Sequence, residues 1–432
     1  MDSKIFYELL HAEELPDMYK VHYNIQAETL EDPAQEVKNA IARRDVFAPI
    51  RPGDTVAITA GSREVENIAV IIRSVAEEVK KRGGQPFVVP AMGSHGGATA
   101  EGQREIIEGY GVTKEFVGCP IKSSMETVIL GTTRKKHLPV HMDKNAFGAD
   151  WIVPIGRVKL HTDIKGPIQS GICKMIVIGL GKQAGADLCH QRGWKEMSEN
   201  ITEIAEEAIR QANILCGIGV IENCFHHTYR IEAIPADKIL EEEPALLEDA
   251  RKQMHRIPFK KVDILICDWI GKDISGAGMD PNVTGRSSIN GISEPWIDKV
   301  FIRDLTENSH HNGTGCGNAD VMPYSLFQKI SLEATYPNSI TARDTNGFKI
   351  PVLMPNEHLC IRFAMHTATD ARPDTGYRVM WIRDTNHLQE FYISGRLLEE
   401  AEQHPDMSVE KMRLQVKYDE QDNILGLFPA EE

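Results

Sequence analysis

Apolar runs that alternate with glycine-rich turns predict repeated strand–loop–helix units along the chain. An apolar run at residues 55–59 predicts a buried strand, and residues 66–82 after it keep the apolar spacing of one helical face. A second apolar run within residues 85–90 leads through a glycine-rich loop to a predicted helix at residues 99–109. This order is typical of a parallel α/β sheet, and we predict the α/β class.

The same pattern restarts in the second half of the chain. A highly charged helical stretch at residues 239–259 precedes the apolar run VDILICDWIG, which predicts another buried strand. We therefore predict an N-terminal α/β domain over residues 1–255 and a C-terminal α/β domain over residues 256–432. A charged helix and tail are expected over roughly the last 30 residues.

Composition excludes several classes of protein. The 432 residues carry a formal net charge of −15, which disfavours binding to nucleic-acid phosphates. Apolar runs stay short of the roughly 18–20 residues that cross a bilayer, so no membrane is expected. The eight cysteines form no CxxC pair, and the first residues do not resemble a signal peptide. We predict a cytoplasmic enzyme or binding protein.

Candidate chemistry is concentrated in RVKLHTDIKGPIQSGICKMIVIGLGKQAGADLCH, residues 157–190. This segment places His161, Lys165, Lys174 and His190 around one glycine-punctuated apolar run. A lysine at the edge of such a run loses solvation, which favours the free amine needed for covalent chemistry with a cofactor or carbonyl. The alternative is an ordinary lysine whose stem lies along apolar surface.

Two further candidates follow the predicted strands nearer the N-terminus. Arg63 and His95 come after the first and second strands, and His161 follows a third predicted buried strand, residues 149–158, in the same way. Ligands bind beyond the carboxyl ends of parallel strands, where these side chains would lie. The histidines suit acid–base catalysis on a small anionic substrate, and the arginine suits binding of its carboxylate. The segment GLGKQAG lacks the dinucleotide-fingerprint spacing, and P-loop, HExxH, zinc-finger and GxSxG patterns are absent.

The runs PAMGSHGGATAEGQ (90–103) and HTDIKGPIQSGICKMIVIGLGKQ (161–183) resemble the nickel-dependent lactate racemase family, as a divergent member. The resemblance extends over about residues 50–400. It implies two α/β domains with parallel-rich sheets that enclose a cleft. It also implies a nickel-pincer nucleotide, pyridinium-3,5-bisthiocarboxylic acid mononucleotide, which is joined to a lysine through a thioamide. The ring carbon and two sulfurs of this cofactor bind nickel, and a histidine completes a square-planar site.

The resemblance also implies roles for individual residues. Lys174 matches the tethering lysine, and His190, sixteen residues later, matches the nickel ligand. His95 and His161 match the two acid–bases that take the substrate hydroxyl proton while a hydride moves from the α-carbon to the cofactor. Arg63 matches the arginine that acts on substrate and cofactor anions. Four residues of the flanking loops are implied to bind the cofactor: Gly93, Ser94, Gly166 and Gly171.

The chain departs from the family pattern around the substrate. Ala60 replaces the aspartate of the early motif, Gly96 replaces an arginine, and the interval between the second histidine and the tethering lysine is three residues longer. We therefore expect a 2-hydroxy acid larger than lactate, such as a sugar acid. Lys165, Lys272 and Arg286 are candidate substrate contacts. Cofactor-synthesis enzymes are the other expected partners, and they would bind transiently.

Three functions stay open at this point. The first is a nickel-dependent racemase or epimerase that inverts C2 of a 2-hydroxy acid. The second is a metal-dependent lyase or dehydratase whose histidines hold zinc or iron, which the shortage of nearby carboxylates disfavours. The third is a non-catalytic metabolite-binding protein, for which Lys174 and His190 would have no use. The sequence does not predict an oligomeric state.

Overall fold

The structure is a computed structural model that describes residues 3–11, 13–62, 64–191, 193–369, 376–426 and 428. The chain divides into two compact units. One unit is Ala27–Met254, and the other combines the described residues up to Gln26 with those from His255 onward. The segment before Ala27 contributes helix α1 (Lys4–Leu9) and strand β1 (Met18–Tyr23).

The unit Ala27–Met254 alternates strands and helices. Its strands are β2 (Thr55–Ala60), β3 (Gln85–Pro90), β4 (Thr127–Thr132), β5 (Pro139–Asp143), β6 (Trp151–Val153), β7 (Ile155–Arg157), β8 (Cys216–Glu222) and β9 (Thr228–Pro235). Its helices are α2 (Pro33–Arg44), α3 (Ile68–Lys81), α4 (Ala100–Gly109), α5 (Lys114–Val117), α6 (Lys144–Phe147), α7 (Ile172–Lys174), α8 (Lys182–Gln191), α9 (Met197–Gln211) and α10 (Ile239–Gln253). A π-helical turn, Met175–Gly179, lies between α7 and α8.

Three small sheets organise this unit. Strands β3, β2 and β6 form one parallel sheet, β7 pairs parallel and β9 antiparallel with β8, and β4 pairs antiparallel with β5. We predicted one strand across residues 149–158, but the chain divides it at Pro154 into β6 and β7, which belong to different sheets. Proline has no N–H for a strand ladder, so pairing is interrupted there.

Strand β2 separates two apolar cores. Val56 and Ile58 belong to the core that contains the buried residues of α2 and α3. Ala57 faces the opposite core, which contains Ile172 and Ile176 of α7 and the π-helical turn. Because successive side chains of a strand point to opposite faces, one face of this sheet supports the segment that carries Lys174. The helices predicted at residues 66–82 and 99–109 are confirmed by α3 and α4.

The second unit is built on one large sheet. Its strands are β10 (Lys261–Ile270), β11 (Arg286–Ser287), β12 (Gly291–Ile292), β13 (Trp296–Leu305), β14 (Val321–Pro323), β15 (Val352–Met354), β16 (Val379–Asp384), β17 (His387–Ser394) and β18 (Met407–Leu414). Its other helices are α11 (Pro281–Thr284), α12 (Tyr324–Lys329), α13 (Leu332–Ala342), α14 (Glu357–Thr367) and α15 (Leu398–Gln403). The sheet order is β15-β14-β13-β10-β16-β17-β1-β18. Neighbours from β15 to β16 are parallel and the rest antiparallel, which confirms the α/β class.

Two expectations about the chain ends are wrong. The charged C-terminal helix ends at Gln403, and the following residues form strand β18, whose backbone pairs with β1. Strand β1 lies between β17 and β18, so the first residues belong with the C-terminal unit and not with a domain of residues 1–255. In both cases a partner far along the chain supplies the ladder hydrogen bonds. Within the described residues, no helix has the length and apolarity needed to span a membrane.

Candidate functional site

The loop after β3 brings His95 towards helix α8. Gly93 has φ +62°, and a Cβ there would lie 3.3 Å from Ile178 Cγ2 and 3.4 Å from Ala186 Cβ. The loop backbone therefore lies directly on the π-helical turn and on α8. Ala186 and His190 are four residues apart on α8, so they share one helical face. The exposed His95 thus belongs to a loop that packs beside the helix carrying His190.

Trp194 connects two of the predicted site residues. Its ring centroid lies 5.2 Å from that of His190, in a T-shaped arrangement, and 6.1 Å from that of His161. All three side chains are half-buried. The structure therefore brings His161 and His190, 29 residues apart in sequence, to the same indole. Trp194 was not among the predicted site residues, although its position one helical turn after His190 was an available signal.

The loop after β7 binds one ring nitrogen of His161. The backbone N–H groups of Asp163 and Ile164 donate to His161 Nδ1, at N···N distances of 3.0 and 3.2 Å. A backbone N–H can only donate, so Nδ1 must accept and the neutral ring carries its proton on Nε2. In this tautomer Nε2–H can donate a hydrogen bond, and Nε2 can take a proton only if the ring proton moves to Nδ1 and these two backbone bonds are released.

Lys174 is the last residue of the short helix α7, and a carboxylate from helix α10 binds the backbone of this helix. Its half-buried side chain places Nζ 3.5 Å from Ser170 Oγ. The backbone N–H of Cys173 donates to Glu243 Oε2 at 2.8 Å. A side chain at Gly171 would collide with Glu243 Oε1, which explains the glycine. A buried carboxylate therefore holds the backbone of the turn that presents Lys174.

Glu243 was missed because its helix, α10, is highly charged in sequence. The available signal was its position between Ile239 and Leu246, which places it on the apolar face. The side chain is 1 % exposed, and burial raises its pKa to about 7 despite hydrogen bonds from Cys173. The carboxylate therefore costs stability when it is ionised.

We expect Glu243→Gln to change the pH dependence of stability. The ordinary pKa is 4.5 and the folded value about 7, so the folded state binds more protons between them and stability falls as pH rises. The glutamine variant lacks this loss. From pH 5 to pH 8, its free energy of unfolding relative to wild type should improve by about 2–3 kcal/mol. Denaturant unfolding at both pH values measures this difference.

Glu248→Gln on the exposed side of the same helix is the matched control, since the Glu248 side chain is 61 % exposed. It should reproduce the wild-type pH dependence. If the free energies of unfolding of Glu243→Gln and wild type changed equally between pH 5 and pH 8, ionisation of Glu243 would not destabilise the folded state, and the prediction would be contradicted.

A fully buried ion pair anchors the start of helix α8. Lys182 Nζ lies 3.1 Å from Asp143 Oδ2 and donates to Gln103 Oε1 at 3.1 Å and to the carbonyl of Pro90. Burial lowers the pKa of Lys182 and raises that of Asp143, while the attraction between them opposes both shifts. Lys182 was not among the predicted site residues, and the structure makes it the link between α8 and the end of β3.

Three more predicted residues lie in the loops of His95 and His161. Ser94 precedes His95, and its carbonyl accepts a hydrogen bond from the N–H of Ala98. Gly166 has φ +137°, and a side chain there would collide with Ser198. Lys165 is exposed beside it. Arg63 lies outside the described residues. The cofactor and substrate roles of these residues stay predictions.

Lys272 and Arg286 belong to the other unit, where each contacts its own surroundings. Lys272 Nζ donates to the carbonyl of Gly276 at 3.0 Å. Arg286 donates to both carboxylate oxygens of Asp320, at 2.9 and 2.8 Å. It also donates to the main-chain carbonyls of Ile297 and Asp298. Both side chains therefore hold the backbone around them through these hydrogen bonds. Their contact with substrate stays a prediction.

The described part of the chain contains no cluster of three or more His, Cys, Asp or Glu side chains arranged to hold a metal ion.

Comparisons with known proteins give two findings. Residues 61–239 match a family described as Domain of unknown function (DUF362), a segment that includes His95, His161, Lys174 and His190. The lactate racemase apoprotein from Thermoanaerobacterium thermosaccharolyticum is a similar solved structure, with TM-score 0.40 and 12% sequence identity over 66% of this chain and 74% of that chain. This likeness is too low to support a functional argument. No significantly similar curated protein was found.

Proposed function

We propose that the protein is a racemase or epimerase that inverts C2 of a 2-hydroxy acid larger than lactate, with a nickel-pincer nucleotide tethered to Lys174. The observation that carries the proposal is the placement of His161 and His190 around Trp194. Lys174 ends helix α7, and the chain continues through the π-helical turn to helix α8, which carries His190. The motif resemblance described above supplies the identity of the cofactor.

The chemistry of the donor set fits this cofactor. Imidazole is a suitable nitrogen ligand for nickel(II), and square-planar geometry suits that ion. The Lys174 side chain ends in a primary amine, which is the group that a thioamide linkage requires. His190 would thus bind the nickel, and Lys174 would hold the nucleotide in register.

In the mechanism we propose, the bound cofactor supplies a reversible hydride acceptor for the α-carbon. His161 Nε2 would hold or take the hydroxyl proton on one side of the substrate, in the tautomer that is protonated on Nδ1, and His95 would do so on the other. Two bases are needed because the hydroxyl lies on different sides in the two stereoisomers. Arg63 binds the carboxylate, for which a guanidinium offers two parallel hydrogen bonds.

Replacing His190 with alanine should separate nickel binding from tethering. We expect His190→Ala to keep the mass increment at Lys174 but to lose nickel affinity, because the protein then offers no imidazole to the ion. The protein is co-produced with the cofactor-making enzymes, and nickel per chain is measured after purification. His141→Ala is the matched control, since His141 Cβ also approaches α8, at 3.9 Å from a Cβ built on Gly185. Equal nickel content in His190→Ala and wild type would contradict the assignment.

A further inference from the structure

We propose that two buried glutamines, Gln103 and Gln169, are positioning residues for the two acid–base histidines, His95 and His161. This inference rests on the proposed function for its catalytic meaning. Each glutamine follows its histidine by eight residues and is hydrogen-bonded to that histidine's own main chain. Gln103 is fully buried and Gln169 is 2 % exposed. Neither residue was singled out by the sequence motifs.

Gln103 holds the His95 loop through its amide N–H groups. From the first half of α4, its Nε2 donates to the carbonyl of Gly93 at 2.8 Å and to that of His95 at 3.2 Å. Its Oε1 accepts from Lys182 Nζ at 3.1 Å. One side chain therefore joins the loop of His95 to the first residue of α8, the helix that carries His190.

Gln169 holds the His161 loop through its amide oxygen. Its Oε1 accepts the backbone N–H of His161 at 2.9 Å, and its Nε2 donates to the carbonyl of Gly166 at 3.1 Å. The side chain thus bridges both ends of the loop that follows β7. Together with the two N–H groups that bind Nδ1, this bond determines where the His161 ring points.

Packing alone would not require these amides. Burying an amide costs free energy unless its donors and acceptor are paired, and an apolar side chain would fill similar space without that cost. Both glutamines instead direct a hydrogen bond to the main chain of a candidate acid–base. The polarity is opposite in the two loops, because His95 offers a carbonyl and His161 offers an N–H. A carboxylate can replace the acceptor at position 169 but not the donor at position 103.

Histidine ring spectra of isotope-labelled protein without cofactor test this inference at one fixed pH. We expect Gln103→Leu to shift the ring resonances of His95 and leave those of His161 in place, and Gln169→Leu to do the reverse. Each variant is the matched control of the other. Gln169→Glu should keep His161 close to wild type, since the acceptor remains, whereas Gln103→Glu should shift His95. Variants His95→Asn and His161→Asn assign the two sets of resonances.

Unchanged rings in both leucine variants, or equal shifts of both histidines in each, would overturn the inference. In cofactor-loaded enzyme, Gln103→Leu and Gln169→Leu should lower kcat roughly 10- to 100-fold with little change in KM, as for other residues that orient a catalytic group. The ring spectra need no cofactor. If the protein binds no nickel cofactor, the selective ring shifts are still expected. If the glutamines do not position the histidines, attachment of the cofactor to Lys174 is still expected.

Discussion

Lys182→Ala is expected to lower the free energy of unfolding by about 3–5 kcal/mol, the typical cost of removing one partner from a buried ion pair. The substitution leaves Asp143 buried without its cation, and it removes the donor to Pro90 and Gln103. Neither Lys182 nor Asp143 is exposed, so water cannot replace the lost partner without opening the core. The stability of the α8 region should therefore depend on this pair more than on the exposed ion pairs.

Urea unfolding of wild type and variant measures the effect. Lys174→Ala is the control, because Lys174 is half-buried and its loss should cost under about 1 kcal/mol. The double variant Lys182→Met with Asp143→Leu should be more stable than Lys182→Met alone, since no unpaired buried charge remains. A Lys182→Ala protein as stable as Lys174→Ala would contradict the structural role.

His161→Asn is expected to lower kcat by roughly 10²- to 10⁴-fold, the usual contribution of a positioned acid–base. Asparagine Oδ1 replaces Nδ1 as acceptor for the N–H groups of Asp163 and Ile164, but the side chain has nothing in place of Nε2. The variant should therefore keep the loop and lose the proton transfer. Racemisation or epimerisation of 2-hydroxy acids by loaded enzyme, followed by chiral chromatography, measures the loss.

His161→Ala separates the two roles of the ring. It removes Nε2 and also leaves the two backbone N–H groups without their acceptor, so it should be about 1 kcal/mol less stable than His161→Asn. Its kcat should match that of His161→Asn. Activity of His161→Asn close to wild type would show that Nε2 transfers no proton in the reaction.

Local patterns carried much of the fold prediction. The run at β2 and the apolar spacing of α3 depend on side chains that are near one another in sequence, and both elements form as expected. Residue chemistry and motif resemblance also gave His161 and His190, which the structure brings to Trp194.

Contacts between residues distant along the chain could not be predicted from the sequence. Lys182 gives no local sign that its ammonium group meets Asp143 and Gln103, the latter 79 residues earlier. Strand β18 has a charged sequence compatible with a helix, but β1 pairs with it from the other end of the chain. Glu243 lies on the apolar face of a helix rich in acidic residues, but the N–H group that its carboxylate accepts belongs to Cys173, 70 residues earlier.

Covalent attachment at Lys174 is the most direct measurement of the proposed function. Wild type and Lys174→Ala are co-produced with the cofactor-making enzymes, and intact mass and nickel content are determined for both. We predict a mass increment with bound nickel in wild type and neither in Lys174→Ala. Unmodified chains in both samples, while the same enzymes load a known nickel-pincer protein, would contradict the proposal.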